Sequence, residues 1–118
     1  MRICDRTVKE TADLLKSRKI GAVELAGEYM AGIERTNPEI NGYVTLCREK
    51  TLEAAGAAQK RIDSGDPVPE LCGIPMGVKD NICTEGIRTT CASNILENFI
   101  PPYSSTVFEK IYNQGAVL

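Results

Sequence analysis

Gly73-Ile74-Pro75-Met76-Gly77-Val78-Lys79-Asp80-Asn81-Ile82 is the stretch on which the reading of this chain turns. Ile74, Met76 and Val78 alternate with smaller residues, the period of two expected of a strand, and polarity arrives abruptly at Lys79-Asp80-Asn81. The pattern predicts a short buried strand that ends on a lysine. A charged amine at the end of a core strand must be neutralised, paired or put to use, because an isolated ammonium is costly to bury. Lysine also shifts its pKa readily on burial, which suits it to general-base chemistry. The plain alternative is a lysine that reaches water at a strand end.

Upstream of this segment the periodicity is helical. Thr7-Val8-Lys9-Glu10 has capping-box spacing, so a first helix starts at Thr7 as N-cap, with Val8, Ala12 and Leu15 on one face. A second helix covers about residues 22–36, where Ala22, Leu25, Ala26, Tyr29, Met30 and Ile33 share a stripe. Asn37-Pro38 is predicted to end it, since the residue before proline avoids the helical region. Gly42–Leu46 reads as a short strand, and a third helix runs from about Arg48 to Asp63, stopped by Ser64-Gly65. Its charges, Arg48, Lys50, Lys60 and Arg61 among Glu49, Glu53 and Asp63, make a solvated face from which no tRNA binding is read. Asp66-Pro67-Val68-Pro69 is a connector.

Downstream, residues 81–105 show little periodicity, with a brief helical turn expected at Ser93–Asn98. So long an irregular stretch in a compact domain is usually functional or disordered. A last helix is predicted to start at Thr106, spaced from Glu109 as a capping box, with Gly115 at its C-terminal cap. Ala116-Val117-Leu118 then reads as the start of another strand. Strand, loop, helix and strand in this order predict an α/β fold with a parallel sheet.

Composition narrows the chemistry. At 118 residues one domain is the default, and 42% apolar with 25% charged residues is ordinary for a soluble protein. A net charge of −2 gives no electrostatic footprint for nucleic acid or an anionic membrane, and no apolar run is long enough to span a bilayer. The first six residues, Met1 to Arg6, hold no apolar h-region. The five cysteines, Cys4, Cys47, Cys72, Cys83 and Cys91, are odd in number and none forms a C-x-x-C pair, which fits a reducing cytoplasm. With no histidine in the chain, Ser-His-Asp and Cys-His catalysis are excluded and a zinc site is disfavoured. Cys83 and Cys91 are read as buried structural thiols, and Arg88-Thr89-Thr90 as ordinary loop polarity. Asp80 and Asn81 either cap a turn or orient a loop through side-chain hydrogen bonds.

The Gly73–Ile82 segment closely resembles the lysine motif of the amidase signature family. Gly86–Ser93, Leu96–Phe99, Pro101–Tyr103 and Gly115–Leu118 resemble, within that family, the A subunits of bacterial glutamyl-tRNA(Gln) amidotransferases. So do Glu24-Leu25 and Asn37–Val44. The resemblance implies a Ser–cis-Ser–Lys amidase in which Lys79 is the catalytic lysine. It acts through a bridging serine to activate a nucleophilic serine that attacks the side-chain amide of glutamine. The ammonia released would serve a partner subunit that converts Glu-tRNA(Gln) into Gln-tRNA(Gln). The implied partners are amidotransferase subunits B and C. ATP and magnesium are expected on the partner, with no cofactor or metal on this chain. The implied fold is α/β, the N-terminal part of an amidase-signature fold, with helices packed on an incomplete mixed or parallel sheet. Residues 1–118 would form one partial domain, with N-terminal helices over about 7–63 and the start of the catalytic core over about 73–118.

The pattern is not matched throughout. The Gly/Ser-rich segment that carries both serines in the family is absent, and Ser93, Ser104 and Ser105 lie in no such loop. The catalytic serines and the substrate-binding residues are therefore expected beyond Leu118, and the chain alone is expected to be inactive. An isolated piece of a sheet would also expose an edge and apolar faces, which predicts self-association or marginal stability. Two alternatives stand: another amidase-signature hydrolase acting on small amides, and a truncated, non-catalytic α/β interaction module.

Overall fold

Thr7 opens the first helix by the capping box its sequence predicts. The computed structural model describes residues 3–118; Met1 and Arg2, from the N-terminal stretch noted above, lie outside the described residues. Helix α1 spans Val8–Lys16. The Glu10 amide donates to Thr7 Oγ1 at 3.3 Å, and the Thr7 amide donates to the Glu10 carboxylate at 2.8 Å.

Helix α2 spans Ala22–Ile40. Its first turn is satisfied partly from another helix, because the Ala22 amide donates to Gln59 Oε1 at 2.6 Å. The predicted stop at Asn37-Pro38 is not where α2 ends, since Pro38 lies inside its last turn. Proline there forfeits one backbone bond and strains its neighbour, but the local bonds offset that cost. Asn41 turns left-handed at φ 54° and its amide donates to the Asn37 carbonyl at 2.7 Å. The Asn37 carboxamide then grips Tyr43 twice, accepting from its amide at 2.8 Å and donating to its carbonyl at 3.0 Å.

Helix α3 spans Arg48–Asp63 and packs against α2 through small residues. Ala22, Leu25 and Ala26 of α2 share one cluster with Ala55, Ala58 and Ile62 of α3, and Ala12 and Leu15 of α1 belong to it too. Fully burying a leucine such as Leu25 contributes about 1.5–3 kcal/mol. Cys72, Ile74 and Val117 complete the cluster, so the 74–79 segment is anchored at its first residue by the helical core.

The expected sheet is not present as strands. Neither 42–46 nor 73–78 is a strand among the described residues; they contain one isolated parallel bridge, between Pro75 and Val117. The Val117 amide donates to the Ile74 carbonyl and the Met76 amide to the Val117 carbonyl, each at 2.8 Å. Pro75 has no amide to add to a ladder. Upstream the Gly73 amide still donates to the Gly115 carbonyl at 2.9 Å, but the chain then turns: the Ile74 amide donates to the Leu71 carbonyl and Gly73 takes φ +82°. Within 42–46, Tyr43 bonds Asn37, and Val44 and Thr45 bond Arg88, instead of a β partner.

Helix α4 spans Thr106–Asn113. Its N-cap is Ser105, not Thr106: Ser105 Oγ accepts from the Phe108 amide at 3.2 Å, and Thr106 is the first helical residue. Gly115 follows the helix at φ +80°, its amide donating to the Tyr112 carbonyl at 2.8 Å, in the C-terminal position its sequence predicts. The expected turn near Ser93–Asn98 is a 3-10 turn at Asn94–Leu96, capped by Ser93.

Candidate active site

The segment that decides the reading leaves the core at Ile74 and reaches the surface within five residues. Ile74 is buried, Val78 is half-buried and Lys79 is exposed. Lys79 therefore differs from the buried strand-end amine expected of the sequence. Its ammonium forms no hydrogen bond or ion pair among the described residues. It stands at the rim of an open groove of about 530 Å³. Met30 and Ile33 of α2 line one side, residues 42–47 another, and residues 75–80 the third, with Arg88 at the loop end.

The irregular 81–105 region is neither a helix nor a loose loop. It folds back on itself through backbone bonds: Gly86 to Pro101 and Thr89 to Phe99 at 3.0 Å, and Ser105 to Cys83 at 2.8 Å. Arg88 ties this loop to the groove wall. Its guanidinium donates to the Val44 carbonyl at 3.3 Å, to Thr45 Oγ1 at 3.2 Å and to the Glu97 carbonyl at 3.1 Å. Loop polarity is a fair description of Arg88, but two of its three partners, Val44 and Thr45, lie on the 42–47 wall and the role is that of a brace.

Asp80 resolves the choice between turn cap and loop clamp. Its carboxylate accepts from the Thr90 amide at 2.8 Å and from the Thr90 hydroxyl, and its carbonyl accepts from the Cys91 amide at 2.7 Å. Burial pushes the Asp80 carboxyl upward, but the hydrogen bonds from Thr90 and Ala92 and the nearby Arg88 outweigh it and hold the group below its ordinary value.

The cysteines divide by environment. Cys72 is buried and Cys47 half-buried, and burial raises both thiols. Cys83 is half-buried with Sγ 3.7 Å from the Tyr103 hydroxyl, and Cys91 is exposed, so the expectation that both are buried thiols holds at neither, failing outright at Cys91. Cys91 and Ala92, both exposed, take left-handed φ at 52° and 54°.

All five serines serve local structure. Ser17 and Ser64 donate to carbonyls at the ends of α1 and α3, Ser93 caps the 94–96 turn, Ser105 caps α4, and Ser104 Oγ accepts from the Glu85 amide at 2.9 Å. The sequence sets Ser93, Ser104 and Ser105 aside for want of a Gly/Ser-rich loop, and their bonds give a second reason. The loop-orienting role of Asp80 is one of the two the sequence offers, but its partner Thr90 is not, because nothing in a spacing of ten residues signals contact. Among the described residues no group of three Cys, Asp or Glu side chains is placed to hold a metal ion, and no helix is long and apolar enough to cross a membrane.

Every residue that lines the groove, Lys79 included, falls within residues 24–118, the span matched by the family model "Amidase". The chain belongs to that family. It is 51% identical over 112 residues to the A subunit of the glutamyl-tRNA(Gln) amidotransferase of Desulfosudis oleivorans, covering 95% of this chain and 23% of that protein. It is 46% identical over 118 residues to the corresponding protein of Geobacter metallireducens, covering 100% of this chain and 24% of the relative. The chain thus spans about a quarter of the length of the curated relatives it matches. Its fold also matches a bacterial aryl acylamidase of the amidase signature family at a TM-score of 0.87 and 26% identity, over 96% of this chain and 24% of that one. A second match, at a TM-score of 0.91 and 25% identity over 96% of this chain and 25% of the other, is to a vestigial protein complex linked to the origins of an s-triazine catabolic enzyme.

Proposed function

We propose that this chain supplies the lysine corner of a Ser–cis-Ser–Lys glutaminase, as part of an amidotransferase A subunit. The observation that carries the reading is the place of Lys79, at the rim of the groove and paired with no carboxylate, in a segment that matches the family's lysine motif. A base must give its lone pair to a serine hydroxyl, and an amine with no carboxylate pressed against it is suited to that. In this reading the neutral amine of Lys79 takes a proton from a bridging serine, which takes one in turn from the nucleophile. The nucleophile attacks the carboxamide carbon of glutamine, and ammonia leaves.

Both serines come from outside these 118 residues, since the five present are engaged in caps and turns. The 118 residues alone are therefore inactive, and they form one partial domain: helices first, then the start of the catalytic core. Subunits B and C are the partners, glutamine is the amide donor, and ATP and magnesium act on the partner, at Glu-tRNA(Gln), in the cytoplasm. The identity to A subunits over nearly the whole chain favours this over a small-amide hydrolase.

In the full-length protein, tested together with its partners, Lys79→Ala is expected to abolish glutamine hydrolysis while leaving far-UV circular dichroism unchanged. A variant that keeps most of its glutaminase activity would refute the assignment. Glutamine hydrolysis that needs no partner, with small amides turned over faster, would move the reading to a stand-alone amidase.

A further inference from the structure

Lys79 is followed directly by an acid, and the two do not pair. Asp80 is instead fastened to residues 90–92 by both its side chain and its main chain. Its carboxylate takes the Thr90 amide and hydroxyl, its carbonyl takes the Cys91 amide, and Thr90 Oγ1 also accepts from the Ala92 amide at 3.2 Å. Thr90 itself is buried. The stretch of loop that provides these donors holds two consecutive non-glycine residues at left-handed φ, Cys91 and Ala92. Such a pair is costly and persists only where its surroundings enforce it. On the other side of Lys79, the Ile82 amide donates to the Lys79 carbonyl at 3.0 Å, which closes residues 79–82 into a turn.

Asp80 is the only acidic side chain that lines the groove among the described residues. The other titratable side chains there are Tyr29 of α2, Tyr43 and Cys47 of the 42–47 wall, and Arg88 of the loop. Arg88 is turned to Val44, Thr45 and Glu97, and the Tyr29 hydroxyl to the Cys4 carbonyl at 3.5 Å. Among the side chains that line the groove, an unfastened Asp80 is thus the carboxylate placed next to the lysine in the chain. Opposite charge within about 4–6 Å favours the ammonium by about one to three pKa units, and an ammonium is not a base.

We propose that Asp80 is a positioning residue for Lys79: its clamp on Thr90 fixes the 79–82 turn at the groove rim and keeps the carboxylate off the amine. The proposal rests on Lys79 as the base. Its test uses the full-length protein with its partners and reads kcat and KM for glutamine across pH. Thr90→Val removes the hydroxyl and loosens the carboxylate from the loop. The acid limb of kcat/KM is expected to move up by about one pH unit, kcat at neutral pH to fall about tenfold, and KM to stay constant. Thr90→Ser, which keeps the hydroxyl, should restore the wild-type limb. The double variant Asp80→Asn/Thr90→Val should lose the upward shift, because the charge that caused it is gone. Coincident limbs for T90V and wild type, or a shift that survives in the double variant, would overturn the proposal. Should T90V fail to fold, Asp80→Glu breaks the clamp with the charge retained, and an unmoved limb there overturns it equally. Lys79→Ala in the same assay separates the two levels: activity without Lys79 refutes the base, whereas a dead K79A with an unmoved T90V limb refutes only the clamp.

Discussion

Replacing Gly73 by alanine tests how the helical core holds the lysine segment. Gly73 sits at φ +82°, and a Cβ there would lie 3.2 Å from Ala22 Cβ, 3.3 Å from Leu15 Cδ1 and 3.5 Å from Ile62 Cδ1. One methyl would press on α2 and α1 and reach contact with α3. The left-handed backbone costs a non-glycine residue about 1–2 kcal/mol, and forcing an extra carbon into a packed core typically costs about 1–3 kcal/mol. Together they give about 2–5 kcal/mol of local destabilisation. Gly56 is the control, a half-buried glycine inside α3 whose added Cβ would meet nothing within 4 Å. Gly56→Ala should stabilise by about 0.5–1 kcal/mol through helix propensity. Hydrogen exchange of the α1–α3 amides in the full-length protein reads both changes locally. Gly73→Ala should speed exchange at least about 30-fold, the factor that about 2 kcal/mol implies, and Gly56→Ala should slow it. Unchanged protection in Gly73→Ala, or equal losses in the two variants, would refute the claim that this turn is wedged against the helices.

Two further outcomes follow from the loop. The Asp80 carboxyl is held below its ordinary value, so its clamp contributes stability in full above the unfolded value of 3.8 and loses it as pH falls through the lower folded value. Exchange at the Thr90 amide, corrected for intrinsic rate, should stay slow at neutral pH and accelerate only in that acid window; protection that rises on acidification would contradict it. The thiols should alkylate in the order of their exposure, with Cys91 first and Cys72 last, because Cys72 is 3% exposed and its thiol is raised by burial. Time-resolved iodoacetamide labelling with peptide mass mapping checks the order, and early modification of Cys72 would count against the packing described.

The helices are legible because their signals are local. The Thr7/Glu10 box, the α2 stripe and Gly115 after α4 each need only a few neighbouring residues, and each stands where its spacing places it. Pro38 and Thr106 mislead for the same reason. Each offers a valid local signal that a better-placed partner overrides: Asn41 and Asn37 around the proline, and Ser105 one residue before the threonine. Strands fare worse, since β pairing is a non-local event. Alternation at Ile74, Met76 and Val78 describes a half-buried extended segment, and only one bridge to Val117 forms. At the candidate site, Lys79 can be singled out by its motif, but its exposure and the Asp80–Thr90 clamp cannot, because both depend on how a loop of irregular backbone returns.

The end of α2 and the position of Lys79 are parts of one mechanical chain. Because the helix continues past Pro38, Asn37 remains on its last turn and can grip both backbone groups of Tyr43. That grip sets the 42–47 wall, and Arg88 braces the same wall from the loop at Val44 and Thr45. The Tyr43 ring then crosses to the lysine segment: a Cβ at Gly77 would lie 3.2 Å from its hydroxyl oxygen, tighter than ordinary contact. A side chain at position 77 would therefore press the tyrosine hydroxyl away by a few tenths of an ångström, two residues before the lysine. Glycine there eases the close approach between two walls of a groove and serves no backbone need, since the position carries no positive φ. The motif's second glycine is thus explained by the geometry that presents Lys79, independently of any reaction the lysine performs.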